Sequence, residues 1–327
     1  MFRMKISRRL NSIHGRLASL RNKPAQSTNA VRQHWSIGIY SGDSPLRLHA
    51  PEGFQNPVLN YRDVSDVDGK LVADPFMVRT EGRWHMFFEV ETAGRGQIGW
   101  ATSDDAVRWA YGRIVLSEPF HLSYPYVFEW QGDYFMVPES FQADSVRLYK
   151  ATRFPEEWSF QRTLLEGSPL LDPSLLRYNG KWWMFVETNP QHKYDTLRLF
   201  YANELTGPWQ EHPRSPVVEG NNRKARPAGR VQVIDGRPVR FAQDCYPRYG
   251  TRVRAFAISE LSTRAYRESE CPESPILGPS GTGWNELGMH HVDPHKVADG
   301  KWIACVDGVV LKPIEVQASI VRSAERA

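Results

Sequence analysis

The sequence predicts an all-β protein, a five-bladed β-propeller with four-stranded antiparallel blades. Three observations predict it. A two-part motif recurs about every fifty residues, as in propeller blades. Turn-forming and aromatic residues are abundant, with 24 Gly, 23 Pro and 12% aromatics among 327 residues. A strand-like run also lies upstream of the first copy, where it can complete a ring of short strands joined by many turns.

The first half of the motif predicts two strands joined at a glycine. Three close copies run from Asp74-Pro75 through Gly82 to Glu89, from Tyr124-Pro125 through Gly132 to Glu139, and from Asp172-Pro173 through Gly180 to Glu187. Two looser copies run from Arg226-Pro227 through Gly236 to Gln243, and from His291-Val292-Asp293-Pro294 through Gly300 to Asp307. The constant spacing after the glycine favours an antiparallel hairpin in each unit.

The second half of the motif predicts the two outer strands of each blade. Residues 98–102, 148–152, 199–203 and 254–257 are followed by Trp109, Trp158, Trp209 and Tyr266. The upstream run, residues 35–40, alternates like a strand, and we expect it to complete the last blade. Closure by both ends of the chain would remove the open edges of the ring. Residues 34–327 are therefore predicted to form a single propeller domain.

The N-terminal segment, residues 1–33, has a different composition. It carries eight Arg and Lys and no acidic residue, which leaves 33 basic against 37 acidic residues in the remainder. The near-balanced remainder does not indicate a nucleic-acid binder. Apolar residues at positions 2, 6, 10, 13, 17 and 20 fit one face of a basic amphipathic helix, and this pattern predicts peripheral membrane contact through residues 1–23. A disordered basic tail or a transit peptide remains the alternative.

The cysteines and the apolar runs bear on the compartment. Three cysteines without paired spacing indicate neither a disulfide framework nor a zinc site. No apolar run is long enough for a signal-peptide core or a membrane span. We expect a cytoplasmic protein, peripheral to the inner face of a membrane.

Each predicted hairpin places the first and last residues of its motif at the same rim of the ring. Paired carboxylates at such a rim suit acid–base catalysis on sugars. For Asp74 and Asp172 this favours a catalytic role over the alternative that they only start Asp-Pro turns. The glutamates Glu89, Glu139 and Glu187 allow two interpretations, because they could equally cap neighbouring strands. The full set of candidate residues is Asp74, Asp172 and Glu187 for catalysis, and Glu89, Tyr124, Glu139, Arg226, Arg230, Asp244, His290, His291 and Asp293 for substrate binding.

Three blade-opening segments resemble those of family 43 glycoside hydrolases and their five-bladed relatives: residues 73–76, 171–175 and 288–292. The resemblance implies that Asp74 is a general base and that Asp172 orients it. It also implies that a fifth-blade histidine lies near a central ion or water. In blade four, where that family has a glutamate as acid, this chain has Arg226-Pro227-Ala228-Gly229-Arg230.

The missing acid bears on the reaction, because a sugar alkoxide needs a proton to leave. A phosphate leaving group needs charge neutralisation instead, which arginine provides. Residues 35–39 and 225–229 also resemble the propeller domain associated with glucosamine inositolphosphorylceramide transferases and related bacterial proteins.

Three functions remain open at this point. We expect a carbohydrate-active enzyme that transfers a glycosyl group from a phosphate-activated donor in polysaccharide or glycolipid synthesis, with Asp74 as base. Glu187, Glu139 and Asp244 are candidates for the remaining acid or for binding sugar hydroxyls. A furanosidase-like glycoside hydrolase and a non-catalytic glycan-binding propeller are the alternatives. Trp100, Tyr124 and Trp284 are candidates for stacking on sugars. No cofactor is firmly indicated, but a divalent ion could bind near His291 and Asp293.

Overall fold

The computed structural model describes residues 31–167 and 169–313, which form twenty β-strands in five four-stranded antiparallel sheets. Blade 1 contains β3 (Leu71–Thr80), β4 (Arg83–Thr92), β5 (Arg95–Ser103) and β6 (Ala110–Leu116). Blade 2 contains β7 (Ser123–Trp130), β8 (Asp133–Glu139), β9 (Ser145–Arg153) and β10 (Glu157–Glu166). Blade 3 contains β11 (Leu171–Tyr178), β12 (Lys181–Glu187), β13 (Leu197–Ala202) and β14 (Gln210–Glu211). The predicted five-bladed propeller is confirmed.

Blade 4 contains β15 (Gln232–Ile234), β16 (Arg237–Asp244), β17 (Arg252–Leu261) and β18 (Tyr266–Glu270). Blade 5 joins the two ends of the chain, because β19 (Val292–Lys296) and β20 (Trp302–Pro313) continue into β1 (Val31–Ser44) and β2 (Arg47–His49). The predicted closure by residues 35–40 is thereby confirmed. Short 3₁₀ turns lie at Tyr61–Asp63, Phe141–Ala143, Gly283–Asn285 and Ala298–Gly300.

The repeated glycines set the register of the inner hairpins. At Gly82, Gly132, Gly180 and Gly236 the preceding residue also has a positive φ, the arrangement of a two-residue turn that matches the twist of antiparallel strands. This turn leaves little freedom in strand pairing. It places Glu89 opposite Ala73, and Glu187 opposite Leu171, at the end of the ring where the inner strands begin. We call this end the rim.

One residue later the inner strands of blades 1, 2 and 3 bulge. The pairing shifts between Ala73 and Phe76 in blade 1, and equivalent shifts occur in blades 2 and 3. The bulged residues are Asp74, Tyr124 and Asp172, with φ of 52°, 46° and 51°. Non-glycine residues seldom adopt this left-handed conformation, and it re-aims the side chains that carry it.

The core consists of apolar layers between adjacent blades. Phe76 and Phe87 of blade 1 pack in one cluster with Met136 of blade 2, and Ile37 and Ile39 of β1 join a second cluster with residues of blade 1. The closing strand is therefore part of the core as well as of blade 5. This packing holds the inner strands as a rigid frame for the rim.

In the described part of the chain, no helix has the length and apolar character needed to cross a bilayer. The segment 1–23, predicted to contact a membrane, lies outside the described residues.

Candidate functional site

A cavity of about 350 Å³ lies at the rim, where the inner strands begin. Its acidic lining is Asp74, Glu89, Glu91 and Glu139. Its basic and titratable lining is His121, His192, Arg226 and His290. Its aromatic lining is Trp35, Phe141, Tyr194 and Tyr249. The cavity is large enough for one sugar residue and combines polar groups with apolar ring faces.

A wider groove of about 620 Å³ lies near the Gly82 turn, at the end of the blades away from the rim. Its charged residues Arg83 and Asp104 are exposed and pair with each other at 2.8 Å. The buried, perturbed acids belong to the rim cavity, and we therefore place the candidate site there.

Asp74 is a buried acid whose Oδ1 atom has no hydrogen-bond partner within the described residues. Its backbone N–H donates to Asp307 Oδ2 at 3.2 Å, which holds the bulge in place. Its Oδ1 atom is buried and makes no hydrogen bond within the described residues, with His290 Nε2 and His291 Nδ1 each 3.7 Å away. Burial, with repulsion from Asp172 and Asp307, raises the pKa of Asp74 to about 7, against the opposing effect of His290. Such a carboxyl can exchange a proton near neutral pH.

His290 is held by Asp307. Nδ1 of His290 lies 2.7 Å from Asp307 Oδ2, and the backbone N–H groups of His290 and His291 both donate to Asp307 Oδ1 at 3.0 Å. The Trp35 ring stacks on the imidazole at 4.1 Å. Burial opposes the charged imidazole, but the Asp307 carboxylate raises the pKa of His290 above its ordinary value. The repeat placed Asp307 at the rim, but its role as anchor for His290 required the structure.

His291 has a different environment. Its ring is completely buried, with edge contacts to Phe76 and Tyr124 at 4.6 and 5.3 Å between centroids. Burial lowers the pKa of His291 to about 4, so the ring is neutral at physiological pH. It does not line the cavity.

Asp172 anchors Arg226. The guanidinium donates from Nε to Asp172 Oδ2 at 2.5 Å and from Nη2 to Oδ1 at 3.2 Å, and Gln243 Nε2 donates to the same carboxylate at 2.7 Å. Although Asp172 is buried, the Arg226 charge holds the pKa of this carboxyl below its usual value. Arg226 also stacks on Tyr194 and Tyr249, 4.7 and 5.1 Å from their ring centroids. Asp172 thus acts on the cavity by positioning Arg226.

The three rim glutamates differ. Glu139 Oε2 accepts the backbone N–H of Asp172 at 3.0 Å and lies 3.5 Å from Arg226 Nη2. Glu89 Oε1 lies 3.4 Å from His121 Nε2. Burial, together with neighbouring carboxylates, raises the pKa of both Glu89 and Glu139 well above the ordinary value. Both glutamates line the cavity as acids that hold their protons readily.

Glu187, predicted as a catalytic residue, does not line the cavity. Its Oε1 atom accepts the backbone N–H groups of Asn189 and Thr196 at 2.9 and 3.4 Å and shapes the loop that carries Tyr194. Burial raises the pKa of Glu187 to about 7, in spite of these hydrogen bonds. The capping interpretation fits this glutamate better than catalysis.

Four predicted substrate-binding residues are engaged elsewhere and lie outside the cavity lining. The Tyr124 hydroxyl pairs with Ser174 Oγ at 2.7 Å and accepts the N–H of Gly229 at 2.5 Å. Arg230 donates to Asp293 at 2.7 Å and to the Val127 carbonyl at 2.8 Å, which links blades 2, 4 and 5. Asp244 pairs with Arg254 at 2.8 Å. The geometry gives Tyr124, Arg230, Asp244 and Asp293 structural roles.

The aromatic wall also differs from the expectation. Trp100 and Trp284, predicted to stack on sugars, lie outside the cavity lining. Trp35, Tyr194 and Tyr249 take that position instead. Trp35 could have been found as the first residue of the predicted closing run, residues 35–40, but the loop tyrosines follow no repeat.

The ion predicted near His291 and Asp293 stays a prediction: both ring nitrogens of His291 are buried without a hydrogen bond within the described residues, whereas the Asp293 carboxylate is engaged. Asp293 Oδ2 already accepts from Met77 N at 2.6 Å and contacts His295 Nε2 at 2.8 Å, in addition to the Arg230 contact. Asp74, His290 and Asp307 bring ligand atoms within 4.8 Å of one another. Within this group, His290 Nδ1 and Asp307 Oδ2 are already in contact with each other at 2.7 Å.

Comparison with known proteins gives a family match over most of the chain. Residues 28–309 match the family model described as glucosamine inositolphosphorylceramide transferase 1, N-terminal. Proteins with that name from Oryza sativa subsp. japonica and Arabidopsis thaliana are 34% and 32% identical over 296 residues, or 84% of this chain. The matched region is 40% and 39% of those relatives, so the chain spans about two fifths of their length.

Solved structures share the fold at low identity. The catalytic domain of the family 62 α-L-arabinofuranosidase from Coprinopsis cinerea matches with a TM-score of 0.56 and 13% identity, over 85% of this chain and 98% of that one. A thermostable family 43 glycoside hydrolase matches with a TM-score of 0.51 and 13% identity, over 64% of this chain and 78% of that one. At these identities the likeness establishes the fold alone.

Proposed function

The chain belongs to the family of the N-terminal region of glucosamine inositolphosphorylceramide transferase 1, and we propose that its rim cavity binds one glycosyl residue and acts at the anomeric carbon. The single observation that carries the proposal is Asp74. Its Oδ1 atom is buried, makes no hydrogen bond within the described residues, and belongs to a side chain on the cavity wall. A buried carboxylate without a partner is costly unless a ligand or a proton meets it.

Asp74 has the properties of a general base. With a pKa of about 7 it is partly ionised at neutral pH and can accept a proton from an acceptor hydroxyl. In the proposed transfer the acceptor oxygen bonds to the anomeric carbon as its proton passes to Asp74. The bond from that carbon to the donor oxygen breaks, and the leaving group takes the electron pair. His290 stabilises ionised Asp74 from 3.7 Å.

The rest of the wall suits a sugar. Glu89 and Glu139 offer carboxyl oxygens to sugar hydroxyls, and Trp35 and Tyr249 offer apolar faces to the ring. Arg226 presents the Nη1 side of its guanidinium, which makes no hydrogen bond within the described part of the chain. The clamp by Asp172 orients this group for an oxygen of the substrate.

A phosphate-activated donor remains part of the proposal, but its support narrows to Arg226. Arg230 is occupied by Asp293. The charge of Arg226 is offset by Asp172 and Glu139, so a phosphate at the floor of the cavity would meet mainly carboxyl groups. A sugar ring at the floor of the cavity, with its leaving group directed outward past Arg226, fits this charge distribution better than a phosphate at the floor.

One observation favours hydrolysis as a second candidate. The general acid that blade four lacks has substitutes on the same cavity wall, because Glu89 and Glu139 both keep a proton to higher pH than ordinary glutamates. Glu139 is the stronger candidate, because its contact with Asp172 and Arg226 fixes its position. A protonated acid opposite a base is the arrangement that glycoside hydrolysis requires.

Substrate turnover tests the proposal. The wild-type chain would be assayed with nucleotide sugars and polyprenyl-phosphate sugars in the presence of lipid and oligosaccharide acceptors, and separately with aryl glycosides. Asp74→Asn should abolish product formation, whereas the matched Asp104→Asn, on an exposed side chain of the distal groove, should not. Transfer predicts activity only with an activated donor and an acceptor, and hydrolysis predicts release from aryl glycosides that Glu139→Gln removes.

Binding measurements separate these reactions from recognition without catalysis. If sugars bind with the same affinity to wild type and to Asp74→Asn, and neither turns over any donor, the catalytic proposal fails. The cavity would then be a glycan-binding site.

A further inference from the structure

A second pocket lies on the other face of β1 from the rim cavity. Its volume is about 630 Å³, compared with about 350 Å³ for the rim cavity. Side chains of a β-strand alternate between its two faces. Gln33 and Trp35 line the rim cavity, whereas His34 and Ser36 line the second pocket. One strand is therefore a common wall of both spaces, and we call the second one the side pocket.

The floor of the side pocket is formed by one face of β1 and β20. Ser36 and Val310 line it, and the neighbouring residues on the same face are Gly38 and Gly308. A Cβ atom on either glycine would lie 2.6 Å from the indole ring of Trp284. The two glycines therefore allow the indole to lie against the sheet, where it forms one end of the side pocket.

The loop that carries Trp284 is held by its own hydrogen bonds. Ser280 Oγ donates to Asn285 Oδ1 at 2.8 Å, and the N–H of Ser280 donates to the Asn285 carbonyl at 3.2 Å. The N–H of Gly281 donates to the Glu286 carbonyl at 3.3 Å. Trp284 itself is partly exposed, and its indole N–H makes no hydrogen bond within the described residues. The loop thus presents an aromatic face with a free polar edge without any rearrangement.

The 3₁₀ turn Tyr61–Asp63 forms the opposite end of the side pocket. The Asn60 N–H donates to Asp63 Oδ2 at 2.8 Å, which caps the turn. Asn60 and Tyr61 both line the pocket, and the Asn60 side-chain NH₂ group makes no hydrogen bond within the described part of the chain. Glu286, next to the Trp284 loop, lines the pocket as an exposed carboxylate. Hydrogen-bond donors and acceptors therefore lie between two aromatic rings.

The charged residues of the side pocket do not favour a charged ligand. Arg62, Glu286 and Lys312 line it and are all exposed, so water and salt screen their charges. The acids of the rim cavity differ, because they are buried. A charge brought into the side pocket would lose hydration without meeting a buried counter-charge. The lining therefore suits a neutral polar ligand with apolar faces.

We propose that the side pocket is a second glycan-binding site, which takes neutral sugar residues. Such residues carry apolar C–H faces edged by hydroxyl groups. Trp284 and Tyr61 offer aromatic faces for stacking. The Asn60 amide offers donors to the hydroxyl groups, and the Glu286 carboxylate offers acceptors. The choice of a sugar as ligand rests on the proposed function of the rim cavity, but binding in the side pocket requires no reaction.

Isothermal titration calorimetry of the full chain tests this site, with cellotetraose, mannotetraose and β-1,4-galactotetraose as probes. A tetrasaccharide that binds the wild type should bind about tenfold more weakly to Trp284→Leu, in which leucine still covers the two glycines but offers no flat ring. Glu286→Ala should weaken binding about fivefold.

Matched variants on other blades are the controls. Trp209→Leu changes a partly exposed tryptophan of blade 3, and Glu260→Ala changes an exposed glutamate of β17. Both should leave the affinity unchanged. A wild type that binds none of the three tetrasaccharides, or an equal loss in Trp284→Leu and Trp209→Leu, would overturn the proposal.

Hydroxyl-radical footprinting read by mass spectrometry provides a second measurement on the unmodified chain. A saturating tetrasaccharide should protect Trp284 and Tyr61 from oxidation and leave Trp209 unchanged. Because no substitution is involved, the result does not depend on the folding of a variant. Oxidation of Trp284 at the same rate with and without bound sugar would place the sugar elsewhere and overturn the proposal.

The two proposals fail separately. Asp74→Asn should abolish turnover at the rim cavity and leave the protection of Trp284 unchanged. If turnover survives Asp74→Asn while the sugar still protects Trp284, only the proposed function fails. If Asp74→Asn abolishes turnover and no sugar protects Trp284, only the second glycan site is refuted.

Discussion

Replacing Asp74 by asparagine should stabilise the folded protein, and more so as the pH rises. The folded protein holds this carboxyl at a pKa of about 7, mainly through burial, against an ordinary value of 3.8. A group with a raised pKa in the folded state favours folding while it is protonated, and that advantage is lost as pH rises through the folded pKa. Wild-type Asp74 therefore lowers the free energy of unfolding increasingly as the pH rises from the unfolded pKa of 3.8 to the folded pKa of about 7, and Asp74→Asn removes this cost.

The size of the effect follows from linkage between protonation and folding. Each unit of pKa difference is worth about 1.4 kcal/mol. The penalty in wild type comes to about 2 kcal/mol at pH 5 and about 4 kcal/mol at pH 8, so the difference between the two proteins should grow by about 2–3 kcal/mol. Any effect of the substitution that does not depend on ionisation is the same at both pH values. It therefore cancels when the stability differences at pH 5 and pH 8 are compared.

Equilibrium unfolding in urea at the two pH values measures this. Asp74→Asn should unfold at higher urea concentration than wild type at pH 8, while losing activity. A variant that gains stability as it loses function is typical of a residue kept for chemistry. Exposed Asp104→Asn is the control and should show no pH-dependent gain. A constant difference at both pH values, or a variant less stable at pH 8, would refute the assignment of a raised pKa.

Three further predictions concern the same rim. Asp172→Asn should lower the free energy of unfolding by about 3–5 kcal/mol in urea titrations, because it leaves Arg226 buried without its full counter-charge; an unchanged midpoint would contradict the clamp. Gly229→Ala should destabilise the ring by about 3 kcal/mol or more, since a Cβ there lies 1.8 Å from a backbone carbonyl oxygen of blade 5. The control Gly220→Ala, in open space, should cost only about 1–2 kcal/mol in thermal melts. Turnover by the wild type should rise with pH through about 7, as Asp74 becomes the free base, and a flat pH–rate profile would argue against that role.

The five blades and the rim could be predicted from the sequence because they depend on local chemistry. A glycine turn with two positive φ values allows only one short hairpin register. The number of residues between Gly82 and Glu89 therefore predicts that Glu89 lies opposite Ala73. The same residue spacing predicted that Asp74, Glu89, Glu139 and His290 lie close together. Equivalent positions of a repeat meet around the axis of the propeller, and all four residues line one cavity.

The partners of those residues could not be predicted in the same way. Arg226 and Asp172 are 54 residues apart, and Arg230 and Asp293 are 63 apart, yet each pair is bound at 2.7 Å or less. The sequence shows four charged groups at a rim but not which of them neutralise one another. The sequence therefore offered Arg226 and Arg230 equally for neutralising a phosphate leaving group, whereas the structure has each in an ion pair and only Arg226 in the cavity lining.

The sequence by itself determined the number of blades, the closure of the ring and the residues that reach the rim, because turn geometry and strand alternation act over a few neighbouring residues. Only the tertiary structure decided which rim residues are free to react. Burial and pairing depend on side chains from different blades: Asp307 holds His290, Asp172 holds Arg226, and Asp74 Oδ1 is left without a hydrogen bond within the described residues. That unequal distribution of partners gives neighbouring carboxyl groups opposite pKa shifts, and it is the reason why we propose Asp74 as the base.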